Sequence, residues 1–293
     1  MNVSVIDAII NLVKNPVLML TREYKSRNRA NNAGDALEEY TKDLFAGTFA
    51  CDEFERLERQ SEVFSYLGNN SNPPDAMLKG GDAIEVKKIE TNDASLALNS
   101  SYPKHTIKSD SPMISEACRD AEDWHEKDML YVVGVVKENI LRHLAIVYGL
   151  DYCASETCYS SLKSRIATGV NAIEGVDFSE TRELGRVNKV DPLGITYMRV
   201  RGMWGIENPW TTFRYVYQRD FRKKFNFMCL INDKKWNRLY GTERIHELAK
   251  RNNRLQISNV KLKDPDNPAI LNGAKLITYS HCYPIERTAT FLF

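Results

Sequence analysis

The eight residues Met129-Leu-Tyr-Val-Val-Gly-Val-Val136 constrain the fold more than any other stretch of this 293-residue chain. A strand with one face in water alternates apolar and polar residues. This run does not, so it reads as a strand covered on both faces. His143-Leu-Ala-Ile-Val-Tyr-Gly149 reads as its neighbour. Upstream, periodicity predicts a packing helix over 3–14, with Val5, Ile6, Ile9, Ile10 and Val13 on one stripe and Asn15-Pro16 as its stop. A second helix is expected at about 32–46, a strand at 61–67, a hairpin at 75–89 and a helix at about 112–126. Helix, three strands, helix, two strands is the order of a mixed sheet flanked by helices, an α/β sandwich. Beyond 150 the pattern weakens to a helix at 156–168 and strands at 194–201, 225–231 and 274–279. The expected division is a core over 1–150, including the helical N-terminal segment, and an elaboration over 151–293 packed with it as one unit.

The hairpin carries the chemistry. Gly80-Gly81, followed by Asp82, is a turn signal, because glycine accepts the positive φ of tight turns. Its strands read as about 75–79 and 83–89. Alternation places Glu85 and Lys87 on one face and Val86 on the other, with Asp75 at the far end of the partner strand. Two carboxylates brought close repel, and a hard divalent cation relieves that repulsion. A lysine beside them can orient or help deprotonate a water, or stabilise a phosphorane-like transition state. Metal-assisted phosphodiester hydrolysis needs this set. An exposed hairpin with solvated charges would carry the same residues.

Pro74-Asp75, nine residues, then Glu85-Val86-Lys87 resembles the PD-(D/E)xK nuclease superfamily. The flanks 64–75 and 85–90, Ala97-Leu-Asn-Ser-Ser101 and Arg199-Val-Arg-Gly-Met-Trp-Gly-Ile-Glu-Asn-Pro-Trp210 resemble the NgoPII-type restriction endonucleases, over nearly the whole chain. The resemblance implies a type II endonuclease of PD-(D/E)xK restriction-endonuclease-like fold that uses Mg²⁺ to cut duplex DNA at the palindrome GGCC. It implies Asp75, Glu85 and the Val86 carbonyl as metal ligands and Lys87 as the residue positioning the water. A homodimer and a DNA methyltransferase acting on the same site are its expected partners. In that superfamily a helical glutamate often joins the metal. Glu38, beside Gly34 at the edge of the stripe Ala33, Leu37, Tyr40 and Leu44, suits this better than Glu39, though an ordinary surface glutamate fits equally.

A net charge of +1 argues against a general nucleic-acid glue, so a DNA surface must come from local clustering. Residues 211–255 hold 12 Lys/Arg (Arg214, Arg219, Arg222, Lys223 and Lys224 among them) against 4 Asp/Glu, which leaves the remainder at −7. That segment suits phosphate tracking. The basic stretch 22–32 is either a solvated loop or a phosphate contact. Asn99, Ser100, Ser101 and Lys104 lie in a donor-rich loop that either holds phosphates or makes turns, and the resemblance favours DNA. Arg199 and Arg201, on one strand face with Tyr197, suit bidentate reading of guanine, or else pair with acids or stack on Trp204 and Trp210. Cys153 and Cys158 lack a second zinc pair and read as reduced thiols, and His125 and His143 read as structural. No apolar run reaches the ~20 residues of a membrane span, and the N-terminus carries Asp7 without a basic n-region. A cytoplasmic protein is expected. Two other readings stay open: a structure-selective or repair nuclease of the same fold, and a non-catalytic DNA-binding protein.

Overall fold

The computed structural model describes residues 3–20, 34–69 and 71–282. The stretch 22–32 and Ala33 therefore lie outside the described residues. Helix α1 (Val5–Lys14) opens on a capping box: Ser4 Oγ accepts from Ile6 N–H at 3.2 Å and Asp7 accepts from Ser4 N–H at 2.9 Å. Its expected stripe is buried, together with Ala8 and Leu12. Helix α2 (Gly34–Ala46) buries Leu37, Tyr40 and Leu44.

Where a strand was expected from 61, helix α3 (Glu53–Val63) continues to Val63, and strand β1 covers only Phe64–Tyr66. No apolar stripe announces α3, because its inner contacts are polar. Arg56 Nε and Gln60 Nε2 reach the buried Asp43 carboxylate at 2.6 and 3.0 Å, and Asp52 caps the helix start. The hairpin forms as β2 (Ala76–Leu78) and β3 (Ala83–Ile89), with Gly80 at φ +60° in the turn. Strands β4 (Leu96–Asn99) and β5 (Thr106–Lys108) follow. The helix expected over 112–126 is a single turn, α4 (Glu116–Arg119). Arg119 Nε donates to Ser109 O at 2.7 Å and Trp124 Nε1 to Arg119 O at 3.2 Å, so side chains hold a loop there instead.

The apolar runs become β6 (Glu126–Lys137) and β7 (Ile140–Tyr148), longer than expected at both ends or at the start. After α5 (Gly149–Tyr152) and α6 (Glu156–Asn171) come β8 (Gly185–Val187), β9 (Met198–Val200, the remnant of the 194–201 strand), β10 (Trp204–Ile206) and α7 (Pro209–Thr212). The chain ends with β11 (Phe225–Asn232), α8 (Asp233–Trp236), α9 (Thr242–Arg251), β12 (Leu255–Lys263) and β13 (Leu271–His281). Helix α9 and strand β12 lie in polar sequence and were not anticipated.

Among the described residues a nine-stranded sheet runs β1-β2-β3-β6-β7-β11-β13-β12, with β5 against β6. The pairs β3/β6 and β7/β11 are parallel and the others antiparallel, so the sheet is mixed. It crosses residue 150 without a break. Alternate residues of β6 face opposite cores: Leu130 and Val132 meet α1 and α2, whereas Tyr131, Val133 and Val135 meet Trp210 and Phe213. The hairpin turn is held from the second half of the chain, since Asp82 accepts from Tyr148 Oη at 2.8 Å and from Lys235 Nζ at 2.5 Å. Among the described residues no helix is long and apolar enough to cross a membrane.

Candidate active site

Strand β2 pairs with β3 only as far as Ile84, and the register leaves the following stretch of β3 with an open edge. Asp75 sits at that opening. Its N–H donates to Ile84 O at 2.9 Å, and its Oδ2 accepts from Val86 N–H at 2.6 Å. Residues two apart in a strand direct their backbone groups to the same side, so the Val86 carbonyl also faces the Asp75 edge. From the face of β3, Lys87 Nζ meets Glu85 Oε1 at 2.6 Å and Asp75 Oδ2 at 4.0 Å. The side chains of Asp75, Glu85 and Lys87 are 16%, 15% and 24% exposed. The structure brings these three together.

Charge is unbalanced there. Burial first, then the carboxylates of Glu85 and Glu38, push the Asp75 carboxyl up to about 8, with Lys87 opposing. Burial works against the Lys87 ammonium, but Glu85, Asp75 and Glu38 outweigh it and hold its pKa above the usual lysine range. The surrounding carboxylates thus favour the protonated form of Lys87. Glu85 Oε2 is buried with no hydrogen-bond partner. An orphaned carboxylate oxygen, a carboxyl kept from ionising by its neighbours, and a backbone carbonyl on the same edge together fit a hard divalent cation. The arrangement is not a ready-made cage. No group of three or more His, Cys, Asp or Glu side chains placed to hold a metal occurs among the described residues. Asp75 Oδ2 is engaged by Val86 and Glu85 Oε1 by Lys87, and the carboxylate of Glu38, the fourth expected ligand, lies close enough to act electrostatically on both Asp75 and Lys87.

A stability consequence follows. With its folded pKa raised, Asp75 supports the fold most below about pH 4 and loses that support as pH rises toward 8. In chelator at pH 8, Asp75→Asn should be more stable than wild type by roughly 2 kcal/mol, a rise of several degrees in Tm. The gain should fade toward pH 4 and shrink when a divalent cation is added. A thermal melt series that shows no gain at pH 8 would remove this account of the Asp75 environment.

The loop residues divide between two places. Asn99, at φ +53°, turns the chain beyond β4, which pairs with β10. Ser100 and Arg201 line one cleft of about 190 Å³ with Glu183 and Trp204. Ser101 and Lys104 face the other way, into a small cavity shared with Glu85. Lys104, expected in a donor-rich loop, is buried, and burial pulls its pKa down to about 8 against the attraction of Glu85. Arg199 and Arg201 are half exposed and converge on Glu183: Arg199 is bidentate at 2.6 and 2.8 Å, and Arg201 Nε donates at 2.5 Å. They stack on neither Trp204 nor Trp210; Arg219 lies over Trp210, 5.1 Å from the ring centroid.

Part of the basic 211–255 segment is used internally. The Arg219 side chain is 4% exposed and paired with Asp93, and Lys235 is held by Asp82 and Asp128. Arg214 and Arg222 remain exposed, each paired with an acid. Burial pulls His143 down to about 3, so it is neutral at working pH, in keeping with a structural role. Cys153 is buried and Cys158 exposed, both as free thiols. Sequence reasoning missed Tyr131, Glu183 and Gly68. Tyr131 carries the hydroxyl in an otherwise apolar run and Gly68 opens the loop before Asp75, but Glu183 offers no local signal.

A mixed sheet flanked by helices, with an acidic pair and a lysine at the open edge of a hairpin, has the form of a nuclease centre. The model of the NgoPII restriction endonuclease family matches residues 3–263. The Type II restriction enzyme NgoPII of Neisseria gonorrhoeae is 59% identical over 277 residues, 94% of this chain and 99% of that protein. This chain belongs to the NgoPII restriction endonuclease family. No solved structure matches it.

Proposed function

We propose that this protein is a type II restriction endonuclease of PD-(D/E)xK fold, hydrolysing duplex DNA at GGCC with Mg²⁺. The convergence of Asp75, Glu85 and Lys87 at the open edge of β3 supports this most directly. Family membership, with near-complete coverage of a relative named as a type II restriction enzyme, supports it independently. Mg²⁺ would be held by Asp75, Glu85 and the Val86 carbonyl, with Glu38 adding negative charge. When bound it supplies Lewis acidity at the phosphate and lowers the pKa of a water. The protein's own residues do the rest. Lys87 donates to the attacking water and presents its lone pair to phosphorus. Its charge, fixed by Glu85 and Asp75, offsets the negative charge that builds on the phosphoryl oxygens. The water oxygen bonds to phosphorus as the P–O3′ bond breaks; the water's proton passes to bulk water and O3′ takes one up from bulk water, giving a 3′ hydroxyl and a 5′ phosphate.

Residues 1–150 form the catalytic part in this reading, and much of 151–293 serves recognition. Arg199 and Arg201, aligned by Glu183, present their guanidinium groups to guanine O6 and N7. Asn99 and Ser100 hold phosphate oxygens nearby. A two-fold palindrome calls for a homodimer with one centre per strand. A methyltransferase modifying the same site would protect the host's own DNA, in the cytoplasm.

Digestion of a DNA of known sequence with Mg²⁺ tests this. Discrete fragments whose ends all map to GGCC are the expected result, whereas a smear or flap-selective cutting would favour a repair nuclease. Arg199→Ala or Arg201→Ala should weaken cognate binding by roughly 1–3 kcal/mol and narrow the margin over non-cognate DNA. Equal losses on both DNAs, measured by titration, would move these arginines from base reading to phosphate contact.

A further inference from the structure

A second lysine stands beside Glu85. Lys104 is 8% exposed and lines the same cavity as Glu85, Pro73, Ser101 and Tyr131. Its ammonium donates to two neutral oxygens, Ser101 Oγ and, at 3.4 Å, the Tyr102 carbonyl. An ammonium buried against neutral oxygens costs free energy that packing does not return. The surrounding structure nevertheless holds the Lys104 backbone firmly. Tyr131 Oη accepts from Lys104 N–H at 2.7 Å and donates to Lys104 O at 3.2 Å. Tyr131 is also the register partner of Glu85 on the adjacent strand, so the residue that fixes Lys104 stands next to the carboxylate it faces. On the other side is Gly149, where a Cβ would collide with the carbonyls of Lys104 and His105.

We propose that Lys104 is a further catalytic residue, whose ammonium takes a non-bridging oxygen of the scissile phosphate when duplex DNA binds. Lys87 is committed to Glu85 at 2.6 Å and to Asp75 at 4.0 Å, so it cannot also neutralise an arriving phosphate in full. Lys104 rests on a serine hydroxyl, a neutral partner that an anionic oxygen can replace at little cost. Ser101 thus parks the ammonium, and the phosphate completes its coordination. The proposal rests on the nuclease reading above and adds to it a residue outside the Asp75, Glu85 and Lys87 set.

The test uses Lys104→Met, which keeps the length and apolar stem and removes the charge. Single-turnover cleavage of the cognate duplex should fall by about a hundredfold or more, while the thermal midpoint stays level or rises. Binding in EDTA is then compared for the natural duplex and for one carrying a neutral methylphosphonate at the scissile position. The wild-type preference for the natural duplex should shrink about threefold or more in the variant. A merely structural lysine would lower the midpoint and leave that preference unchanged. Should Met fail to give a cooperative melt, Lys104→Gln is carried through the same two measurements. Cleavage within about threefold of wild type, or an unchanged preference, overturns the proposal while a cutting wild type preserves the nuclease reading. A wild type that cuts no duplex removes both.

Discussion

Lys87→Ala should lower cleavage of cognate duplex by about 10³-fold or more while sequence-specific binding persists. The reason lies in the charge arrangement rather than in the residue type alone. Lys87 is the ammonium held between Glu85, at 2.6 Å, and Asp75, at 4.0 Å. Those carboxylates keep it protonated, so its removal deletes a donor to the attacking water and a positive charge beside the phosphorus. It also leaves two buried carboxylates facing each other, which raises the cost of ionising Asp75 further. Asp75→Ala should be as damaging, by deleting a proposed metal ligand and releasing the Val86 N–H that it accepts at 2.6 Å. Plasmid cleavage and gel-shift binding separate the two functions. Either variant cutting at near wild-type rate would place the chemistry elsewhere on the molecule.

The second large effect is expected from a residue that touches no substrate. Gly68 adopts φ +82°, and a Cβ there would press on the carbonyl of Asp75. Asp75 holds its position through two links to the β3 backbone, its N–H to Ile84 O and its Oδ2 to Val86 N–H. Gly68→Ala therefore strains its own backbone and pushes the carboxylate out of register with Glu85 and Lys87. A displacement of about 1 Å in such a centre costs roughly a hundredfold in rate, and the left-handed backbone adds about 1–3 kcal/mol of instability. Cleavage kinetics below the melting range should show the rate loss in a folded protein. A Gly68→Ala variant with wild-type rate and wild-type Tm would show that the loop does not position Asp75.

The hairpin was legible because its signals are local. The glycine pair needs only its own φ freedom, and the alternation of Glu85, Val86 and Lys87 needs only a strand. The runs 129–136 and 143–149 were legible for a related reason: a strand covered on both faces must be apolar at nearly every position. Helix α3 was not, because its inner side is made of Arg56 and Gln60 reaching Asp43, and polar contacts leave no apolar period. The helix expected over 112–126 shrank to one turn where loop bonds from Arg119 and Trp124 compete with helical ones. Lys104 read only as one donor of a phosphate-holding or turn-making loop, since nothing within that loop announces Tyr131 or Gly149.

The sequence by itself determined the mixed α/β architecture, the hairpin and the chemical identity of its acids and amine. These depend on periodicity and on conformational preferences that act over a few residues. Only the tertiary structure decided which charges are used up and which stay available. Arg199 and Arg201 meet Glu183, Arg219 is buried against Asp93, Lys235 is pinned between Asp82 and Asp128, and Lys104 lies against a serine beside Glu85. Each pairing joins residues brought together by the folding of strands and loops, from a few positions to more than 150 apart in the chain. Electrostatic interactions depend on distance in space and on exclusion of water, and neither quantity is written in the order of the residues.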